Sequence, residues 1–425
     1  MATAVIITFI LGYFAITLEH SIRINKAASA LVTGVICWTI YILFASDKHL
    51  VTEQLMEQLG EVSGILFFLL GAMTIVELID AHDGFQVITD RIKTKSAVRL
   101  LWIIGGITFF LSAILDNLTT TIVIVSLLRK LIADKNQRLF FAGITIIAAN
   151  AGGAWSPLGD VTTTMLWIGG QITAFNIIKE LFVPSVFCLL VPLILVSFRM
   201  RGTIQPAESK VKQNLSNTVY ERNFVFLLGI GVLMFVPVFK TITHLPPFMG
   251  ILLGLGLMWI ITEIIHSQKD TEDKDTLTVA YALRKIDSPS ILFFLGILIS
   301  ISALQATGQL THLSQWLSKT IQNDTIIVTS IGLLSAVVDN VPLVAAAQGM
   351  YGLDQYPADH FFWEFLAYAT GTGGSALIIG SAAGVAAMGM EKITFFWYLK
   401  RISWLALIGY FAGIIIYLLQ YRLMH

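Results

Sequence analysis

Twelve apolar stretches alternate with polar joints along the chain: 3–18, 27–44, 62–80, 100–128, 139–169, 174–198, 223–239, 247–265, 290–305, 325–350, 361–389 and 402–420. Most come near the ~20 residues that an apolar helix needs to cross a hydrocarbon core. None shows the polar-apolar alternation of an outer-membrane barrel strand. The pattern predicts an all-α polytopic membrane protein. Two of the polar joints, 48–60 and 83–96, are amphipathic enough to predict short interfacial helices.

The polar breaks repeat in order. Ile65-Leu66-Phe67-Phe68-Leu69 recurs as Ile291-Leu292-Phe293-Phe294-Leu295. An Asp-Asn pair follows each copy: Asp116-Asn117 in LSAILDNLTTTIVIV and Asp339-Asn340 in LLSAVVDNVPLVAAA. A glycine-rich break comes next, Asn150-Ala151-Gly152-Gly153-Ala154 through Gly159-Asp160, echoed by Gly371-Thr372-Gly373-Gly374-Ser375 through Gly380-Ser381. The organisation is therefore read as N-terminal helices over 1–60, a first repeat over 61–200, a linker over 201–222, linking helices over 223–289 and a second repeat core over 290–425. Each repeat holds a hairpin (100–128, 325–350) and a broken helix (139–169, 361–389).

Lysines and arginines orient these pieces. If 100–128 and 325–350 dip in and return as re-entrant hairpins with Asp-Asn at their tips, the remaining ten stretches cross. With the N-terminus outside, the cytoplasmic joints then collect 22 of the 27 Lys and Arg. Were 100–128 to cross, the basic joints 81–99 and 129–138 would face opposite sides. Five crossings separate the two Ile-Leu-Phe-Phe-Leu landmarks, and an odd number makes the repeats inverted. Inverted repeats with sites near mid-membrane typify secondary transporters.

Composition narrows the chemistry. The chain is 56% hydrophobic and 13% charged, against about 25% charged in an ordinary soluble domain. Formal net charge is zero, and no basic tract predicts a nucleic-acid partner. Cys37 and Cys188 sit in apolar runs and read as buried thiols, with no third sulfur to make a metal site. The first stretch lacks a basic leader and a small-residue cleavage site, so it is expected to remain as a helix. No Walker A pattern occurs, and neither cofactor nor enzymatic activity is expected.

A carboxylate at bilayer depth costs roughly 2.5–3.5 kcal/mol on insertion scales and ordinarily marks an ion or proton path. Non-helical backbone is tolerated at that depth only where it is buried in protein or lines a cavity. The first half offers oxygens on Asp116, Asn117, Thr120, Asn150, Ser156, Asp160, Thr162 and Thr163. The second offers Ser335, Asp339, Asn340, Thr372, Ser375 and Ser381. Gly152, Gly153, Gly373 and Gly374 are expected to allow close backbone approach and positive φ. A carboxylate that holds either a proton or a cation exchanges the two as the site alternates sides. The first half, with two carboxylates, is expected to hold the tighter cation site, with sodium at Asp116, Asn117, Asn150 and Asp160. Asp339 is then a second cation or proton site. Asp116 and Asp339 have a plainer reading as helix caps, and Thr162, Thr163 and Ser375 as partners of helix-end backbone. His82, His244, His312 and His360 are expected at the surface, and Glu61, Glu77 and Glu364 at the interface.

The stretches SAILDNLTTTIV, ANAGGAWSPLGDVTTTMLW and SAVVDNVPLVAA closely resemble the NhaD-type sodium/proton antiporters of the ion transporter superfamily, and the resemblance extends over nearly the whole chain. In sodium-coupled dicarboxylate relatives the tips read Ser-Asn-Thr, whereas here both read Asp-Asn. The resemblance implies functional roles for Asp116, Asn117, Asn150, Asp160, Thr162, Thr163, Asp339, Asn340 and Ser375. It also implies sodium, lithium and protons as transported ions, a homodimer, and the bacterial cytoplasmic membrane. A sodium-coupled anion transporter of the same fold is the nearest rival. It would want positive charge at the site, and no Lys or Arg lies in the middle of any apolar stretch.

Overall fold

A computed structural model describes residues 1–89, 92, 94–200, 202–204, 218–267 and 276–424. The described residues form a series of helices, among them α1 (Ala2–Thr17), α2 (Lys26–Phe44), α3 (Lys48–Ala81), α4 (Ala97–Leu115), α5 (Asn117–Leu131), α6 (Lys135–Ala154), α7 (Val161–Ile168), α8 (Ala174–Arg199), α9 (Val219–Thr243) and α10 (Pro247–Ile265). The order continues with α11 (Val279–Lys285), α12 (Ser288–Ala306), α13 (Gln309–Ile321), α14 (Asp324–Leu334), α15 (Asn340–Met350), α16 (Phe361–Gly373), α17 (Ala382–Glu391), α18 (Phe395–Arg401) and α19 (Ser403–Met424). Among the described residues, eight helices are long and apolar enough to cross a membrane, and α4 is one of them.

Both predicted broken helices are broken. The chain leaves α6 at Ala154 and resumes helix at Val161; it leaves α16 at Gly373, makes a 3₁₀ turn over Gly374–Ala376 and resumes at Ala382. Each Asp-Asn pair separates two helices, α4 from α5 and α14 from α15. Other joints differ from expectation. Residues 48–60 form no separate interfacial helix but begin the 34-residue α3, started by Asp47, whose carboxylate caps His49 and Leu50 N–H. Among the described residues of 83–96, only Gln86–Thr89 is helical. The joint 306–324 contains a full helix, α13, missed because its apolar residues lie on one face while its mean composition is polar. Of the linker 201–222, residues 201 and 205–217 lie outside the described set.

The core has a physical logic. From Phe141 to Ala154 every residue of α6 is buried, and so is every residue of α16 from Phe362 to Gly373. A helix buried all round occupies the centre of a bundle, and these two carry the chain to the two breaks. Small residues let neighbours close in, by a set of contacts that occurs twice. A methyl group on Gly152 would overlap the Phe109 carbonyl, and one on Gly373 the Gly332 carbonyl. Gly153 meets Gly159 O as Gly374 meets Gly380 O, and Gly159 meets Ser112 O as Gly380 meets Ala336 O. Ser112 Oγ donates to Ala149 O at 2.7 Å, and its counterpart Ser335 Oγ to Thr370 O at 3.2 Å. The first arm of each Asp-Asn element is thus seated against the glycine break of its own half. Buried Glu391, at the end of α17, accepts from Arg129 Nε at 2.7 Å and Arg138 Nε at 2.8 Å, tying the α5–α6 corner to the second half.

Candidate functional site

At each of the four breaks a side-chain oxygen caps the helix that follows. Asp116 accepts from Thr119 N–H at 2.8 Å, Asp160 from Thr162 N–H at 3.0 Å, Asp339 from Val341 N–H at 3.3 Å and Ser381 from Gly384 N–H at 3.2 Å. Such caps satisfy backbone donors that a helix start otherwise leaves bare. A capping bond occupies one of about four lone-pair positions on a carboxylate. Capping and ion binding are therefore compatible roles for the same aspartate. Asp116 has φ 94° and ψ 160°, a region nearly restricted to glycine, and a residue held there stores about 1–3 kcal/mol of strain. Thr119 fixes it from both sides, donating its hydroxyl to the second carboxylate oxygen at 2.8 Å.

The two tips converge on Asp160. Its carboxylate accepts from Asn117 Nδ2 at 2.9 Å and from Asn340 Nδ2 at 3.2 Å, one asparagine from each half. Asn117 Nδ2 also donates to Asn150 Oδ1 at 3.1 Å. The other end of Asn150 donates to Ser375 Oγ at 2.8 Å and Ser381 Oγ at 2.9 Å. One connected network therefore contains Asn117, Asn150, Asp160, Asn340, Ser375 and Ser381, all buried. Asp116, Asn117, Asp160, Asp339 and Asn340 line a single cavity of about 50 Å³. The two sites expected one per half thus share a common space.

Some expected contributors point elsewhere. Thr163 donates its hydroxyl to the Asp160 main-chain oxygen at 2.8 Å, serving the helix start rather than the carboxylate. Asn150 has both ends of its amide engaged within the network. The glycines supply close approach but not positive φ: Gly152, Gly153, Gly373 and Gly374 are not among the positive-φ residues, because helix or 3₁₀ geometry runs through them. The only positive φ at these breaks belongs to Asp116. The buried hydroxyl of Thr120 has no hydrogen-bond partner among the described residues.

Lys26 was not foreseen. Its Nζ lies 3.5 Å from Asp339 Oδ2, and it lines the same cavity. It stands at the start of an apolar stretch, and only the fold brings it to residue 339. One further expectation fails for the same reason. His82 is buried, its Nε2 2.8 Å from Nε2 of His266. Glu364 is also buried, bonded to Asn176 and, at 3.0 Å, to the Tyr417 hydroxyl.

A second cavity, about 430 Å³, lies along the same four helices. On α3 the small cavity reaches Leu69 and the large one Ile65; on α7 they reach Val161 and Met165, on α12 Phe294 and Leu298, on α15 Val341 and Ala345. In every case four residues, one helical turn, separate the two. The larger cavity is lined by Glu61 and by Gln58, Gln171, Gln305 and Gln348.

Comparison with known proteins gives a consistent picture. A family profile described as "Citrate transporter" matches residues 2–373. "Sodium/proton antiporter 2" of Arabidopsis thaliana is 49% identical over 414 residues, covering 96% of this chain and 97% of its own. "Sodium/proton antiporter 1" of the same plant is 49% identical over 99% of this chain and 73% of its own. "Na(+)/H(+) antiporter NhaD" of Vibrio cholerae is 30% identical over 98% of this chain and 91% of its own. Among solved structures, the YdaH transporter of Alcanivorax borkumensis superposes with a TM-score of 0.54 at 12% identity, covering 88% of this chain and 89% of that one. That last likeness concerns the fold.

Proposed function

The chain belongs to the transporter family described as citrate transporters, within its NhaD-type sodium/proton antiporter group, and from that premise we propose that it exchanges sodium for protons across a membrane. It is a multi-pass membrane protein and a transporter, not an enzyme. The observation that carries the reading is the convergence of Asn117 and Asn340 on the Asp160 carboxylate, beside Asp116 and Asp339 in one cavity. Lined by carboxylate and amide oxygens, this space suits a hard monovalent cation. A proton and a cation compete for the same carboxylates, so loading one displaces the other. Switching the loaded site between the two membrane faces turns that competition into antiport, with no other energy source.

Further parts of the reading belong to the same proposal. Lithium, of the same charge and hardness, is transported with sodium. The halves are inverted repeats whose Asp-Asn elements are re-entrant hairpins, supported by the twice-occurring glycine–carbonyl contacts and by the distribution of Lys and Arg. Asp116, Asn117, Asn150 and Asp160 form the tighter cation position, and the N-terminus lies outside, a reading supported by the 22 Lys and Arg that this orientation collects on the cytoplasmic side. The working protein is a homodimer in a bacterial cytoplasmic membrane, as the resemblance to bacterial NhaD antiporters implies.

The family description names citrate, yet a polyanion would meet three carboxylates in this cavity and one lysine already facing an aspartate. The test is the purified chain in sealed vesicles with an imposed pH gradient. Sodium and lithium are expected to collapse the gradient, and citrate to leave it intact. If no alkali cation collapses it, the antiporter reading fails.

A further inference from the structure

The two tip aspartates are satisfied in different ways. Both oxygens of Asp116 are held by Thr119, a neutral partner three residues away. Asp339 caps Val341 with one oxygen and turns the other to the Lys26 ammonium at 3.5 Å. Both side chains retain some exposure, 27% for Lys26 and 20% for Asp339, so the pair is accessible to an arriving ion. Lys26 is the first residue of α2, where the positive end of the helix dipole disfavours a cation. Its placement is therefore unexplained by the stability of its own helix. In that same position the ammonium lies 4.3 Å from the centroid of the Phe293 ring, a weaker contact that adds to the hold on it.

Building on the antiporter reading, we propose that Lys26 is a tethered competitor for sodium: its ammonium occupies the cation position at Asp339, and sodium takes that position by displacing it. The long lysine stem lets the ammonium move while its root stays fixed in α2. Phe293 helps to hold the ammonium at Asp339, so sodium displaces it from both contacts at once. No bond is made or broken; one cation replaces another on a single carboxylate. Lys26 is thus a specificity-determining residue that raises the sodium concentration at which the second half of the site fills.

The test uses the full chain in proteoliposomes, reading sodium-dependent collapse of a pH gradient across a sodium titration. Lys26→Gln is expected to lower the apparent KM for sodium about fivefold, the weight of a part-exposed ion pair. Lys26→Arg, which keeps the charge, is expected to hold the KM at or above the wild-type value. Sodium binding to the purified variants, a readout that needs no turnover, is compared in an Asp339→Asn background, where the Lys26→Gln gain is expected to vanish, a result that a merely structural lysine would not give. An unchanged or higher KM in Lys26→Gln overturns the proposal. If that variant does not insert, Phe293→Leu decides: loss of the ring's hold on the ammonium is expected to lower the sodium KM, and an unchanged KM refutes the displacement. Wild-type protein that fails to couple sodium to protons refutes the antiporter reading; an active wild type with an unresponsive Lys26→Gln refutes this proposal alone.

Discussion

Replacing Asp160 by Asn removes one negative charge from the point where both halves meet, and the consequence for the cation can be sized. A monovalent cation about 4 Å from a carboxylate gains about 4 kcal/mol at an effective dielectric of 20. At about 1.4 kcal/mol per decade this corresponds to a roughly thousandfold weaker sodium affinity. The protein should still fold: the substituted amide keeps a carbonyl oxygen to accept from Thr162 N–H, which lies 3.0 Å from the native carboxylate. The other position becomes an amide nitrogen facing the Asn117 amide, a donor–donor clash that costs about 1–3 kcal/mol. The assay is gradient collapse in proteoliposomes over a wide sodium range, with thermal melting of the purified variant as the folding control. Asp160→Asn is expected to melt a few degrees lower and show no exchange at sodium concentrations that saturate the wild type. Folded Asp160→Asn protein with a sodium KM within about threefold of wild type would refute the central role of Asp160.

Three further outcomes follow from the geometry. Gly152→Ala drives a methyl into the Phe109 carbonyl and is expected to cost at least about 1–3 kcal/mol, or folding itself, whereas Gly256→Ala, which meets no atom within 4 Å, is expected to be neutral or slightly stabilising; comparative yields and melting temperatures check the pair. Glu391→Gln leaves Arg129 and Arg138 without their shared carboxylate and is expected to destabilise by ~3 kcal/mol, read as a lower melting temperature. Asn150→Ala deletes the bonds to Asn117, Ser375 and Ser381, and is expected to abolish exchange with a smaller loss of stability than Gly152→Ala, measured by transport and melting in parallel.

What could be read from the chain, and what could not, divides along a physical line. The Asp-Asn pairs and Gly-Gly breaks were legible because each interrupts an apolar run that would otherwise be uniform, and interruption is a local signal. Their repetition, from Ile65 to Asp160 and from Ile291 to Ser381, made the duplication visible without any structure. Pairings across the fold left no such trace. Lys26 reads as an ordinary residue at a helix start, and nothing near it in sequence names Asp339 as its partner. His82 and His266 lie 184 positions apart, so the buried contact between them has no local signature. The sequence offers capping and ion ligation as alternatives for the aspartates, whereas the geometry allows both, because one oxygen serves the helix and lone pairs remain.

The single helical turn that separates the two cavities has an electrical consequence. The hydrocarbon core of a membrane is about 30 Å thick, and a turn of helix rises about 5.4 Å. In a state in which the small cavity is continuous with water on one membrane face and the large cavity with water on the other, the low-dielectric path shrinks to the one-turn layer between Ile65 and Leu69, Val161 and Met165, Phe294 and Leu298, Val341 and Ala345. A membrane potential of about 100 mV, worth about 2.3 kcal/mol per elementary charge, would then fall across that layer, in a field about fivefold steeper than in the surrounding lipid. An ion crossing one turn of helix would traverse nearly the whole membrane voltage.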